Sequence, residues 1–242
     1  MYKKMVIAIV PALALLFFSF KNASMKTTIE KDNELTAAEK KAGWALLFDG
    51  KDLDGWRSYK NMPNDSWEAA NGEIHCKENN VQHRNDLITK DLYGDFELEF
   101  DWKLNKAANS GLIYRANEGH EHTFESGPEY QLIDDKGYPD KLEDWQKSGA
   151  NYDMNAPTQL AAKPAGEYNH SKIVAKGAHV EHWLNGVKVV DTEFWTDAWK
   201  KRKSESKWKD EAEYGMIKSG HICLQDHGGG GVWFKNIKIR KM

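Results

Sequence analysis

The sequence predicts an all-β protein, a two-sheet sandwich or jelly roll carrying one short helical insertion. Three observations carry this. Apolar residues recur with period two in several separate segments, as they do in half-buried strands. Glycine-, asparagine- and aspartate-containing turns punctuate those segments, at Asp49-Gly50, Asp54-Gly55, Asn71-Gly72, Lys136-Gly137, Asn185-Gly186 and Gly228 to Gly231. Helical patterning is confined to a few short stretches.

Apolar patterning begins at Trp44, after a polar stretch in which Thr36 to Lys41 reads as a short helix. Phe96, Leu98, Phe100 and Trp102 alternate with Glu97, Glu99, Asp101 and Lys103. Val180, His182 and Leu184 alternate with Glu181 and Trp183, and Asn185-Gly186 then turns the chain into Val187 to Val190 as a hairpin. Ile222 and Leu224 alternate with Cys223 and Gln225, and Val232 to Arg240 forms the last strand. Thr196 to Glu213 is the expected helical insertion, and Lys136 to Pro164 a long excursion. Loops of that length within a compact domain tend to carry function.

The chain has 242 residues, 40% of them hydrophobic, with a net charge of −3 and ten tryptophans. A mean hydropathy of −0.74 and a pI near 6.3 describe a folded polar-surfaced chain without the basic footprint of a nucleic-acid binder. The basic run Lys200 to Lys203 is followed by acidic residues and reads as a solvated helix face. Lys3 and Lys4 precede an apolar run from Met5 to Phe20, the pattern of a secretory signal. The expected organisation is therefore a signal peptide over residues 1–24, a tether over 25–43 and one domain over 44–242, in an exported, periplasmic or cell-surface protein. Cys76 shares a face with Ile74 and Cys223 with His221, so the two are not expected to pair.

Several short motifs fail their own chemistry. His120-Glu121-His122 lacks a third metal ligand nearby. His179 and His182 point to opposite faces of a strand, and Asp52-Leu53-Asp54-Gly55 lacks the rest of a calcium loop. The glycine run at 228–231 leads into a strand, which offers no helix N-terminus for phosphate. Stronger is Glu129-Tyr130-Gln131-Leu132-Ile133-Asp134: on a strand, Glu129 and Gln131 share one face, a carboxylate beside a carboxamide. Such a pair suits an acid/base or a metal ligand next to a hydrogen-bonding group. His221, Cys223, Gln225 and His227 share a second such face, and Arg115 offers a cation for an oxyanion or an ion pair. An exposed polar sheet face is the plain alternative.

Six stretches in order resemble the 3-keto-disaccharide hydrolase family: Trp44 to Trp56, Asp95 to Phe100, Asn109 to Arg115, Glu129 to Asp135, Leu184 to Gly186 and Gly220 to Gly228. The chain departs from that pattern with Tyr168-Asn169 for Trp-Asn, and with Ser148 at the head of Ser-Gly-Ala-Asn-Tyr152. The resemblance implies a concanavalin A-like jelly roll whose concave face holds a carbohydrate, and cleavage of 3-keto-glycosides. A ketone at C3 acidifies the hydrogen on C2, so a base can form an enolate that expels the C1 substituent. On this reading Glu129 is the base or a metal ligand, and His227 a ligand or acid/base partner. Arg115 and Gln131 hold oxygens, Gln225 and Asp134 contact the sugar, and Trp56 and Tyr152 stack on it. One divalent ion on Glu129 and His227 is the cofactor this implies. A non-catalytic carbohydrate-binding module of the same fold is the alternative; a conventional retaining glycosidase needs two carboxylates, and no Glu-x-Asp-x-Glu strand supplies them.

Overall fold

The computed structural model describes residues 31–242. The expected signal peptide lies outside the described residues.

Two antiparallel sheets face each other across one core. The larger has eight strands, in the order β11 (Val187–Glu193), β10 (His179–Leu184), β9 (Asn169–Lys176), β6 (Phe96–Leu104), β13 (Val232–Lys241), β4 (Glu73–Cys76) and β3 (Trp67–Ala70), with β1 (Trp44–Leu46) on the far half of β13. The smaller has five, in the order β2 (Trp56–Ser58), β5 (Leu87–Thr89), β12 (His221–Leu224), β7 (Asn109–Ala116) and β8 (Glu129–Ile133). This is the expected β-sandwich.

The period-two reading of β6 holds at every residue, with buried and half-buried positions alternating along all nine. Its Phe96, Leu98, Phe100 and Trp102 pack against Leu112, Tyr114, Tyr130, Leu132, Ile222 and Leu224 from the smaller sheet. Truncating one such aromatic, Phe100 for example, costs about 3–5 kcal/mol. Buried polar atoms in this layer are paired: Trp102 Nε1 donates to Ser171 Oγ (2.8 Å), and His182 bonds the Tyr114 hydroxyl (3.1 Å) and the Gly149 carbonyl (3.0 Å). Burial pushes the His182 imidazole down to about 4, so it is neutral. The β10–β11 turn has positive φ at both Asn185 (49°) and Gly186 (82°), the conformation a two-residue hairpin of this hand requires.

The helices are short. Thr36 caps α1 (Ala37–Lys41) through a capping box with Glu39. The expected insertion is helical only over α2 (Asp197–Ser204). Beyond it Ser206 Oγ bonds the Lys203 carbonyl (2.8 Å) and accepts from Trp208 N (3.1 Å), an alternative to helical pairing that ends the helix. Trp208 then turns inward onto Tyr214, ring on ring at 4.4 Å. Cys76 lies in the inter-sheet core and Cys223 in a separate cluster on the opposite face of the smaller sheet; both are free.

Candidate active site

The outer face of the smaller sheet is not open to water. β7, β8 and β12 are buried almost throughout, because loops cover the face that does not meet the larger sheet. The long excursion supplies part of this cover by pairing with the edge strand, through Gln131 N to the Ala150 carbonyl (3.1 Å) and Gly149 N to the Gln131 carbonyl (2.9 Å). Where the cover parts, cavities open side by side, and two of them share Phe124, Gln225 and His227.

The inner cavity, about 140 Å³, is lined by Asn109, Phe124, Glu129, Gln131, Tyr152, Lys207, Gln225 and His227. The outer, about 390 Å³, shares Phe124, Gln225 and His227 and adds Tyr59, Met62, Arg84, Asp86 and His122 among its walls. Glu129 and Gln131 leave β8 on the face away from the core, while Tyr130 and Leu132 fill the core. Gln225 and His227 follow β12, whose end is tied to β7 by Gln225 N to the Gly111 carbonyl (2.9 Å) and Ser110 Oγ to the Gln225 carbonyl (2.8 Å).

Glu129 is 5% exposed. Its carboxylate lies over Gly111, where a Cβ would come within 2.3 Å of Oε1, so the glycine of Asn109-Ser110-Gly111 is the residue that makes room for it. Burial pushes the Glu129 carboxyl up to about 7, against the pull of the Lys207 ammonium. Partial desolvation, then the Lys207 charge, holds the His227 imidazole, which sits at the exposed mouth of the cavity, below its ordinary value. Lys207 is itself held below the ordinary lysine value by desolvation, against the attraction of Glu129 and Asp153. The buried carboxamide oxygens of Asn109 and Gln225 have no hydrogen-bond partner.

The segment carrying His227 is pinned from beneath. Asp226 N donates to Asp86 Oδ1 (2.9 Å), Thr123 Oγ1 donates to the other Asp86 oxygen, and Arg84 pairs with the Asp226 carboxylate (3.1 Å). Burial raises the Asp86 carboxyl to about 6. Tyr152 is steadied edge-on by Trp145 at 5.3 Å.

Of the expected site residues, Glu129, Gln131, Tyr152, Gln225 and His227 meet in this cavity. Three do not. Arg115 adopts a left-handed backbone (φ 53°) that takes its side chain out of the strand alternation. Its guanidinium is spent on the carbonyls of Gly94 (2.9 Å) and Gly177 (3.0 Å) and on Asp95 (3.2 Å), away from Glu129. Trp56 is 3% exposed, packs in the inter-sheet core and donates Nε1 to the Leu47 carbonyl (2.7 Å), so no ring face is free for a sugar. Asp134 accepts from the backbone N–H groups of Ala107 (3.0 Å) and Gly137 (3.0 Å) and holds two turns together. Asn109, Phe124 and Lys207 line the cavity without having been singled out in the sequence. Lys207 lies within what reads as a polar helix face, so only the fold reveals it.

Among the described residues the one cluster of three metal-ligating groups is His179, Glu181 and Asp191, on the larger sheet. Lys188 bonds Glu181 (3.1 Å) and also Asp191, and so supplies that cluster with its own cation. No helix among the described residues is long and apolar enough to cross a membrane.

The sequence and the fold, more than any one side chain, tie the chain to known proteins. Residues 43–240 match the sequence profile of the 3-keto-alpha-glucoside-1,2-lyase-like domain. The chain belongs to this family. It is 34% identical over 227 residues to a 3-keto-disaccharide hydrolase of Bacteroides thetaiotaomicron, covering 82% of this chain and 78% of that protein. A crystal structure from Parabacteroides distasonis ATCC 8503, described as a candidate glycosyl hydrolase, superposes with a TM-score of 0.81 at 40% identity, covering 88% of this chain and all (100%) of the other. A second candidate glycosyl hydrolase of that organism gives a TM-score of 0.64 at 27% identity, covering 82% and 99%. Family membership makes the protein a glycoside-cleaving enzyme.

Proposed function

We propose that the protein cleaves 3-keto-glycosides by elimination at C1 and C2, with or without later addition of water. The single observation that carries this reading is Glu129: a buried carboxylate lining a cavity, held over Gly111 and poised near neutrality. Glu129 takes the C2 proton. The C2–H pair becomes the C2=C3 bond of an enolate whose charge rests on O3. The enolate re-forms the ketone, the C1–O bond breaks, and His227, neutral before the reaction, relays a proton from solvent to the departing oxygen. The resulting C1=C2 alkene conjugated to the ketone either leaves or adds water, with hydroxyl to C1 and hydrogen to C2. The unpartnered carboxamides of Asn109 and Gln225 accept sugar hydroxyls, which offsets their burial without a bond. Tyr152 and Phe124 give flat faces to the ring's C–H side.

The cofactor is one divalent ion at most. Glu129, His227 and the free Gln225 oxygen are donors of the kind such an ion accepts, and bound there it supplies Lewis acidity at the ketone oxygen. Lys207 is the competing cation at the same place. Export rests on the Lys3-Lys4 and Met5 to Phe20 pattern, and fractionation of the producing cell tests it. For the reaction, a 3-keto-glucoside is incubated with wild type and with Glu129→Gln, with and without chelator, and the freed aglycone is followed. Wild type releases it and Glu129→Gln does not. A variant that still releases it removes Glu129 from the reaction, and saturable binding with no product from wild type leaves a carbohydrate-binding module.

A further inference from the structure

We propose that Lys207 is the catalytic cation of this site, donating a hydrogen bond to the O3 oxyanion as the C2 proton leaves. The inference rests on the 3-keto reading above and deepens it by filling the role that Arg115 does not.

Four observations place Lys207 there. It lines the inner cavity together with Glu129 and His227. Its position is built into the fold: the neighbouring Ser206 and Trp208 are both buried, and its backbone N–H donates to Asp153 Oδ2 at 2.6 Å. Its ammonium lies over the rings of Tyr152 (4.1 Å to the centroid) and Trp208 (4.2 Å), with Phe124 at 5.8 Å. Aromatic faces attract a cation without using its N–H bonds on an oxygen. Finally, the ammonium forms no hydrogen bond with an acceptor among the described residues, and Glu129 and Asp153 act on it only through their charges.

A lysine kept for structure ordinarily ends on a carboxylate or a carbonyl, as Lys188 and Lys238 do in this chain. Lys207 instead keeps three donors free beside the base. The reaction develops its negative charge on O3, one carbon from the proton that Glu129 removes. Lys207 is exposed at the cavity mouth, where the rings of Tyr152 and Trp208 hold its ammonium in place, and its hydrogen bond to that oxygen strengthens as the bound sugar displaces water. No proton need be transferred: the ammonium stays protonated, and the electron pair returns from O3 to the ring when the C1–O bond breaks.

The test separates enolisation from cleavage. 3-Keto-1,5-anhydroglucitol carries only its ring oxygen on C1, so it can exchange its C2 hydrogen in deuterated water but has no aglycone to release. Proton NMR follows that exchange, and aglycone release follows turnover of a 3-keto-glucoside, for wild type, Lys207→Met and Lys207→Arg. Lys207→Met should lower both exchange and kcat by about 10²–10³-fold, the usual loss for one oxyanion donor, with an unchanged melting temperature. Lys207→Arg, which keeps the charge, should recover part of both rates. Lys207→Met within about threefold of wild type in both assays overturns the proposal. So does normal exchange with impaired cleavage, which would move Lys207 to the leaving group, and so does activity lost to chelator and restored by a divalent ion while Lys207→Met behaves as wild type. Wild type inactive on every 3-keto-glycoside overturns the reading beneath it instead.

Discussion

Glu129→Gln should make the protein more stable at alkaline pH while abolishing its chemistry. A carboxyl whose folded pKa lies above its unfolded value binds its proton more tightly when folded, so stability falls as pH rises between the two values. For Glu129 the window runs from the ordinary 4.5 to about 7. Within it the folded chain keeps the proton that the unfolded chain has released; above it the folded chain carries the full cost of a charged, desolvated carboxylate. At about 1.4 kcal/mol per pH unit that cost reaches about 3 kcal/mol. Glutamine has the same length and no charge, so it escapes the cost. For a chain of this size the gap corresponds to roughly 6–12 °C in melting temperature. Thermal melts of both proteins from pH 5 to pH 9 decide the matter. The gap should be largest at pH 8–9 and shrink to under about 1 kcal/mol by pH 5. A gap that does not change with pH, or a Glu129→Gln protein less stable than wild type at pH 9, would refute the reasoning.

Three further outcomes follow from the same geometry. The kcat/KM for a 3-keto-glucoside should rise about tenfold per pH unit below about 7 and level off above it, because only the carboxylate form of Glu129 accepts a proton; a pH–rate profile flat from pH 5 to 8 contradicts this. Gly111→Ala puts a Cβ 2.3 Å from Glu129 Oε1 and 2.8 Å from its Cγ, so the carboxylate must move. A displacement of that size should cost about 10²-fold in kcat/KM with the fold retained, as kinetics and circular dichroism would show. Arg115→Met should act on stability and not on KM: it strips donors from the Gly94 and Gly177 carbonyls and destabilises by about 3 kcal/mol, measurable by urea unfolding.

The larger sheet is legible residue by residue because one of its faces meets water. Glu97, Glu99, Asp101 and Lys103 alternate with the apolar side of β6, and the pattern reads directly as a half-buried strand. The smaller sheet hides its logic. Its strands are buried on both faces, so the sequence of β7 gives no contrast between the face that meets the core and the face that meets the cover. Glu129 and Gln131 remain visible because two polar side chains spaced by two in an apolar strand need a common explanation. Arg115 misleads for a local reason: its left-handed backbone redirects the side chain, and nothing in Tyr114-Arg115-Ala116 announces a positive φ at a non-glycine residue. Trp56 misleads through composition, since aromatic residues serve core and ligand alike. Lys207 is silent because its role depends on where a loop lands on a sheet more than 70 residues earlier in the chain.

The number of free carboxylates ties the architecture to the substrate. Hydrolysis of an ordinary glycoside in most cases uses two, one to protonate the leaving oxygen and one to attack or to activate water. Glu129 is the one carboxylate lining the inner cavity among the described residues. Of the acids of the outer cavity, Asp86 accepts from Thr123 and from the Asp226 backbone, Asp226 is held by Arg84, and Glu121 stands exposed to water at the rim, away from the inner cavity's lining. A single base cannot generate and stabilise an oxocarbenium ion, but it can remove an acidified C–H. A ketone at C3 supplies that acidity and moves the developing charge onto O3, where a hydrogen-bond donor is needed and a second carboxylate would repel it. One buried base beside one unpaired ammonium is therefore poorly built for a plain acetal and well matched to a sugar that already carries its ketone.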